Sequence, residues 1–151
     1  MTTSFPTESE IISHVISLMA AYLLALPIGW NREREERSAG VRTFPLVAMA
    51  ACGFVLVALG VLGRGSEGQA RILEGMMVGV GFIGGGAILK KGMQSTGTAT
   101  AASIWATGAL GGAAGYGLYD VAAILSVSTY ATLRFVAPLK KAAQTQAPTG
   151  D

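Results

Sequence analysis

FPLVAMAACGFVLVALGVL, Phe44 to Leu62, decides the fold: nineteen residues without one charged side chain. A hydrocarbon core of ~30 Å is crossed by about 20 helical residues rising 1.5 Å each. The stretch has that length, and Pro45 falls in its first turn, where a missing N–H costs little. A helix is the expected conformation because the edge of an open strand finds no hydrogen-bond partner in lipid.

Four more runs of the same kind flank it: Ile11–Trp30, Ile72–Leu89 (interrupted by Glu74), Ala99–Tyr119, and Val121–Leu139 (interrupted by Arg134 and ended at Pro138). Short polar links join them at Asn31–Thr43, Gly63–Arg71 and Lys90–Thr98, and the last two runs meet at Asp120. The expected architecture is therefore an all-α membrane bundle of about five transmembrane helices. Residues 1–10 read as an N-terminal tail, 11–139 as the transmembrane domain, and 140–151 as a cytoplasmic tail whose polar part, Gln144–Asp151, is expected to be disordered.

Composition agrees. Hydrophobic residues make up 51% of the 151 and charged residues 13%, about half the share usual in soluble domains. The first run is not expected to be a cleaved leader, because Glu8 and Glu10 precede it and no basic residue does. Lysine and arginine counts orient the bundle. Arg32, Arg34, Arg37, Arg42, Lys90, Lys91, Arg134, Lys140 and Lys141 fall on one side, against Arg64 and Arg71 on the other. The richer side should face the cytoplasm, with the N-terminus outside and the C-terminus inside.

Several function classes find no support. A net charge of +2 with no basic stripe argues against a nucleic-acid partner. Cys52 is the sole cysteine, which excludes an intrachain disulfide and reads as a small buried residue. One histidine and one cysteine do not make a zinc site. Ser103, Ser126 and Ser128 lie in apolar runs far from the only histidine, His14, and are expected to bond carbonyls one turn back. Gly79, Gly81 and Gly84 spell G-x-G-x-x-G, but within a membrane run and without the strand a dinucleotide fingerprint needs. An enzyme is not expected.

Two patterns remain. The first is glycine at four-residue spacing: Gly75 and Gly79, Gly81 and Gly85, Gly108 and Gly112, Gly111 and Gly115. Small residues let membrane helices approach closely, so the third and fourth runs are expected to form the tight centre, and Gly79→Leu to disrupt it. Gly84-Gly85-Gly86 reads either as close packing or as a break that points backbone groups at an ion. The second pattern is acid near the outer surface. Glu74 stands three residues after Arg71, within pairing distance on a helix, and Asp120 is placed to cap the last run. With His14 they read either as local partners or as a cluster able to hold hydrated Mg²⁺ at Glu74 and Asp120.

Several segments together resemble one known family. Gly29 followed by Arg32-Glu33, then Ala39-Gly40-Val41-Arg42-Thr43, is similar to the MgtC/SapB pattern G-x-x-R-E…A-G-L-R-T. Gly81-Phe82-Ile83-Gly84-Gly85-Gly86 resembles its G-F-[LI]-G-[AG]-G. Gly97 to Trp105, with Thr100, resembles its G-x-x-T-A-A-[ST]-[ILM]-W. The motifs come in the family's order and cover most of residues 25–139. Asn31, where many members carry Glu, and Ala99, where some carry a polar residue, depart from the pattern and bear on partner specificity.

The resemblance implies a multi-pass protein of the bacterial inner membrane, tied to magnesium homeostasis, acid-stress adaptation and, in virulence-associated members, survival in macrophages. It implies a non-enzymatic regulator of other membrane proteins, the F-type ATP synthase among them; the lipid bilayer and a homo-oligomer are expected as further partners. The alternative is a magnesium or other divalent-cation transporter or channel, and a third reading is a structural protein that only self-associates. Virulence-associated members carry a cytoplasmic C-terminal domain that this chain is expected to lack, so that domain's roles are not carried over.

Overall fold

A computed structural model describes residues 7–35, 39–91 and 94–136. It contains five helices: α1 (Glu8–Arg34), α2 (Thr43–Leu62), α3 (Gly68–Gly86), α4 (Thr98–Gly115) and α5 (Tyr119–Ala131), the last extended by a π-helical turn, Thr132–Val136. The expected end of the fifth run, the 140–151 tail and Arg37 lie outside the described residues.

The ends of the helices derive from local chemistry. Thr7 caps α1 in a reciprocal box: its backbone N–H donates to Glu10 Oε2 at 2.7 Å, and the Glu10 N–H donates to Thr7 Oγ1 at 3.4 Å. α4 stops at Gly117, which holds φ 78° while its N–H reaches the Ala114 carbonyl and the Leu118 N–H reaches the Ala113 carbonyl. That is the paired ending that favours glycine in the left-handed region. α5 then starts after Leu118, so Asp120 is not its cap as expected but a member of its first turn. There the carboxylate still faces the positive end of the helix dipole.

Several boundaries differ from the sequence reading: α1 begins at Glu8 rather than Ile11, α4 ends at Gly115 rather than Tyr119, α5 begins at Tyr119 rather than Val121, and two further differences have a clear cause. α1 does not stop at Trp30 but continues to Arg34, because the charged residues beyond Trp30 are good helix formers and put arginines at the negative end of the dipole. The third run ends at Gly86 rather than Leu89. The segment after it is not a plain link but a short antiparallel hairpin, β1 (Leu89–Lys91) with β2 (Gln94–Thr96), pairing Leu89 with Thr96. The hairpin satisfies backbone groups that three glycines and a polar loop would leave open. Gly84-Gly85-Gly86 does not break α3; the helix runs through it and ends there.

α4 is the hub: α1, α2, α3 and α5 all pack on it, with α2 also against α1 and α3, and α5 against α1. Neighbouring helices in the chain run antiparallel. Gly84 sits by Ala101 while Gly112 sits by Met76, and α2 and α4 run parallel from Ala48–Gly111 to Val55–Gly115. α1 and α5 are likewise parallel, tied at two levels. Ser17 Oγ and the Tyr119 hydroxyl share a hydrogen bond of 2.8 Å, and Ser126 Oγ donates to the Leu24 carbonyl at 2.6 Å.

The hub works because its faces are almost flat. A Cβ at Gly111 would overlap the Ala48 carbonyl, one at Gly115 would lie 2.7 Å from Val55 Cβ, one at Gly108 2.9 Å from the Val80 methyls, and one at Gly112 2.9 Å from Met76 Cε. On α3 the outcome is different. Gly84 approaches the Ala101 carbonyl, but Gly75, Gly79, Gly81, Gly85 and Gly86 have nothing within 4 Å of a Cβ. The tight centre is therefore α4 pressed between α2 and α3, not a crossing of two glycine stripes. The reason is that Met76, Val80 and Gly84, spaced by four, form the inward line of α3 and turn its other glycines outward.

The bundle is apolar outside as well as inside. Phe54, Val61, Val78, Phe82, Ile124, Val127 and Phe135 are all exposed, on three different helices and the π-turn. Such a continuous apolar exterior does not suit water. α1 and α2 are each long and apolar enough to cross a membrane by length and composition. α3 and α4 are richer in Gly and Ala, which lowers their hydropathy without shortening them.

Candidate functional site at the arginine-bearing end

The antiparallel order brings the end of α1, the start of α2, the hairpin, the start of α4 and the π-turn to one end of the bundle. The motif from Gly29 to Thr43 folds here into an elbow. Gly29 lies under the segment leading into α2: a Cβ there would be 3.1 Å from Val41 Cα and 3.2 Å from the Gly40 carbonyl. Glu33 Oε2 accepts the Val41 N–H at 3.0 Å, and its carboxylate fills the place a Gly40 side chain would take. The Gly40 carbonyl then accepts the Thr43 N–H at 3.0 Å and opens α2, with Arg42 exposed at its N-cap. Thus Gly29, Glu33, Gly40 and Thr43 together set the angle between two helices.

Arg32 is buried at the same point. Its Nε and Nη2 donate to Asn31 Oδ1 at 3.3 and 2.7 Å, and Nη2 pairs with Glu35 Oε2 at 3.2 Å. A guanidinium taken out of water is tolerated only when its donors are met in this way. Asn31 is itself buried and serves as acceptor.

Beside this knot is an open cleft of about 280 Å³, lined by Trp30, Asn31, Arg34 and Glu35 of α1 and by Tyr130 and Arg134 of the α5 end. The Arg34 guanidinium lies over the Trp30 ring, 5.5 Å from its centre. Arg134 is carried by the π-turn, a distortion that re-aims side chains and recurs at functional sites. Along the chain, Trp30 stands out only as the end of one run and Arg134 as an interruption in another. The available signal is two aromatic-plus-arginine pairs four apart, Trp30 with Arg34 and Tyr130 with Arg134.

The elbow lies within a stretch that matches a known family. The MgtC family matches residues 18–142. The chain belongs to the MgtC family. Protein SrpB of Synechococcus elongatus is 36% identical over 145 residues, covering 88% of this chain and 80% of SrpB. Protein MgtC of Brucella abortus is 36% identical over 137 residues, 90% of this chain and 57% of that protein. Protein MgtC of Salmonella typhimurium is 35% identical over 106 residues, 70% of this chain and 45% of that protein. The chain thus spans about half the length of the MgtC proteins it matches. No solved structure matches.

The other singled-out residues of this MgtC-family chain are dispersed. Gly97 begins α4 at φ 90°, where a Cβ would overlap the Ala87 carbonyl, so the motif's glycine is needed both for its conformation and for close approach. Thr100 is buried and Trp105 is exposed on α4, beside Met77 and Val80 of α3. Ser103 Oγ and Thr107 Oγ1 bond carbonyls one turn back, at 2.6 and 2.8 Å. Ser126 instead reaches across to α1.

At the opposite end, Glu74, Asp120 and His14 are exposed on three different helices. Among the described residues no group of three His, Cys, Asp or Glu side chains is placed to hold a metal ion. Nor is Arg71 paired with Glu74; the single ion pair among the described residues is Arg32–Glu35.

Proposed function

We propose that this protein is a multi-pass protein of the bacterial inner membrane, with its N-terminus outside, that regulates other membrane proteins rather than catalysing a reaction or carrying ions. The observation that carries the proposal is the interior of the bundle. Between its two ends the buried polar groups are hydroxyls, and Ser103, Thr107 and Ser126 each donate to a backbone carbonyl. Among the described residues no charged side chain is buried in the middle of the bundle; Glu74, six residues into α3, is exposed on its outside and the other charges lie nearer the ends. A cation path needs polar groups through the full thickness, and this core is packed with small and apolar residues.

Regulation by helix docking suits the outside of the bundle instead. α4 is covered on most sides, yet Ala102, Trp105 and Ala109 remain exposed. An exposed tryptophan flanked by alanines offers a partner helix a close, well-shaped seat. The family resemblance makes the F-type ATP synthase one partner to test, and low magnesium or acid stress the setting.

The experiment is photo-cross-linking from positions 102 and 109, the exposed sites that flank Trp105, in native membranes, with mass-spectrometric identification of what is captured. Recovery of one membrane protein, lost on Trp105→Ala, is the expected result. Reconstituted vesicles containing a magnesium-sensitive dye test the alternative. Flux above that of empty vesicles, abolished by Glu74→Gln, would establish a transporter and sink the regulatory reading.

A further inference from the structure

The cleft between the ends of α1 and α5 has the composition of a site for a phosphorylated headgroup. Two arginines from different helices face it, Arg34 and Arg134, and among the described residues neither has an ion-pair partner. Glu35 also lines it, but its carboxylate is engaged by Arg32, so the cleft keeps a positive balance. Trp30 and Tyr130 form the walls, and the Trp30 ring holds the Arg34 guanidinium in place. Volume limits the ligand. At about 280 Å³ the cleft lies just below the usual range of small-molecule sites, suiting a headgroup fragment rather than a nucleotide.

The surroundings of the cleft indicate where that phosphate comes from. Phe135 and Val136, next to Arg134 on the π-turn, are exposed and apolar. They continue the bundle's outer surface directly from the arginines. Tryptophan and tyrosine prefer the headgroup level of a bilayer. A ligand with its anion on the arginines and its apolar part along Phe135 fits both halves.

We propose that the Trp30–Arg34–Tyr130–Arg134 cleft binds the phosphate of an anionic glycerophospholipid, holding the ends of α1 and α5 together at the membrane surface. The proposal rests on the membrane-embedded reading above, not on regulation as such. Resistance to alkaline carbonate extraction tests that reading separately.

The test uses the full chain with Trp105→Phe, which leaves Trp30 as the sole tryptophan. Trp30 emission is followed in detergent micelles titrated with phosphatidylglycerol, phosphatidylcholine or inorganic phosphate. The expected result is a saturable change with phosphatidylglycerol at concentrations well below those for the other two. Arg34→Gln with Arg134→Gln should weaken phosphatidylglycerol binding about twenty-five-fold, since each basic residue near an anionic surface contributes roughly five-fold. Arg34→Lys with Arg134→Lys, which keeps the charge and reports on folding, should retain most of it. Equal response to both lipids, or no effect of the glutamine pair in a protein of unchanged helicity, would overturn the site. Saturation by inorganic phosphate as readily as by phosphatidylglycerol would overturn the lipid assignment.

Discussion

Arg32 and Gly111 show how differently single residues contribute. Arg32 is held by Asn31 and Glu35 in a place with little water. Arg32→Ala removes a buried cation and strands its acceptors, and should cost about 2 kcal/mol, less than a fully buried pair because Glu35 is partly exposed. The midpoint of thermal unfolding in detergent measures it, and an unchanged midpoint would contradict the packing described for the elbow. Gly111 faces the Ala48 carbonyl with no room for a methyl group. Gly111→Ala should destabilise by roughly 1–3 kcal/mol, as overpacking does. Gly79→Leu, which the spacing of glycines alone marks as disruptive, should leave the stability of the single chain nearly unchanged, because that side of α3 is open. Running both variants in one unfolding assay decides whether α4 or α3 supplies the close contact.

Between elements, the informative pair is α1 with α5. They are distant in sequence and meet through Ser17–Tyr119 and Ser126–Leu24. Ser126→Ala should weaken this pairing by about 1 kcal/mol, the usual worth of a hydrogen bond between membrane helices. Amide exchange in α5 and the π-turn should speed up, while α2 and α4 stay protected. Uniformly faster exchange would mean that the bond holds the whole bundle, not one helix. The same pairing builds the cleft, whose arginines lie on helices far apart in the chain. Trp30 and Arg34 are legible as a local pair, and so are Tyr130 and Arg134. That the two pairs face each other is not legible, since nothing in either helix names its neighbour.

For the whole molecule the charge distribution predicts orientation. The end with Arg32, Arg34, Arg42 and Arg134 should face the cytoplasm, and the end with Glu8, Glu67, Glu74 and Asp120 the outside. Single cysteines placed at Ser66 and at Glu35 test it, since the native Cys52 is buried. A membrane-impermeant thiol reagent added to intact cells should label position 66 and not position 35; the reverse pattern would invert the topology.

The apolar runs, their number, the polar turns between them and the sorting of arginines to one side were all determined along the chain. The reason is that bilayer thickness, helix capping and charge placement act on consecutive residues. Gly117, at positive φ in the ending of α4, belongs to this local class. Tertiary structure alone decided that α4 is the hub, that most glycines of α3 look outward, that Glu74, Asp120 and His14 do not gather as a group able to hold a metal ion, and that two arginine-bearing helix ends enclose a cleft. Those outcomes depend on which face each helix turns toward its neighbours. For Gly- and Ala-rich helices every face is nearly equally apolar, so the choice rests on fit between surfaces rather than on pattern within one.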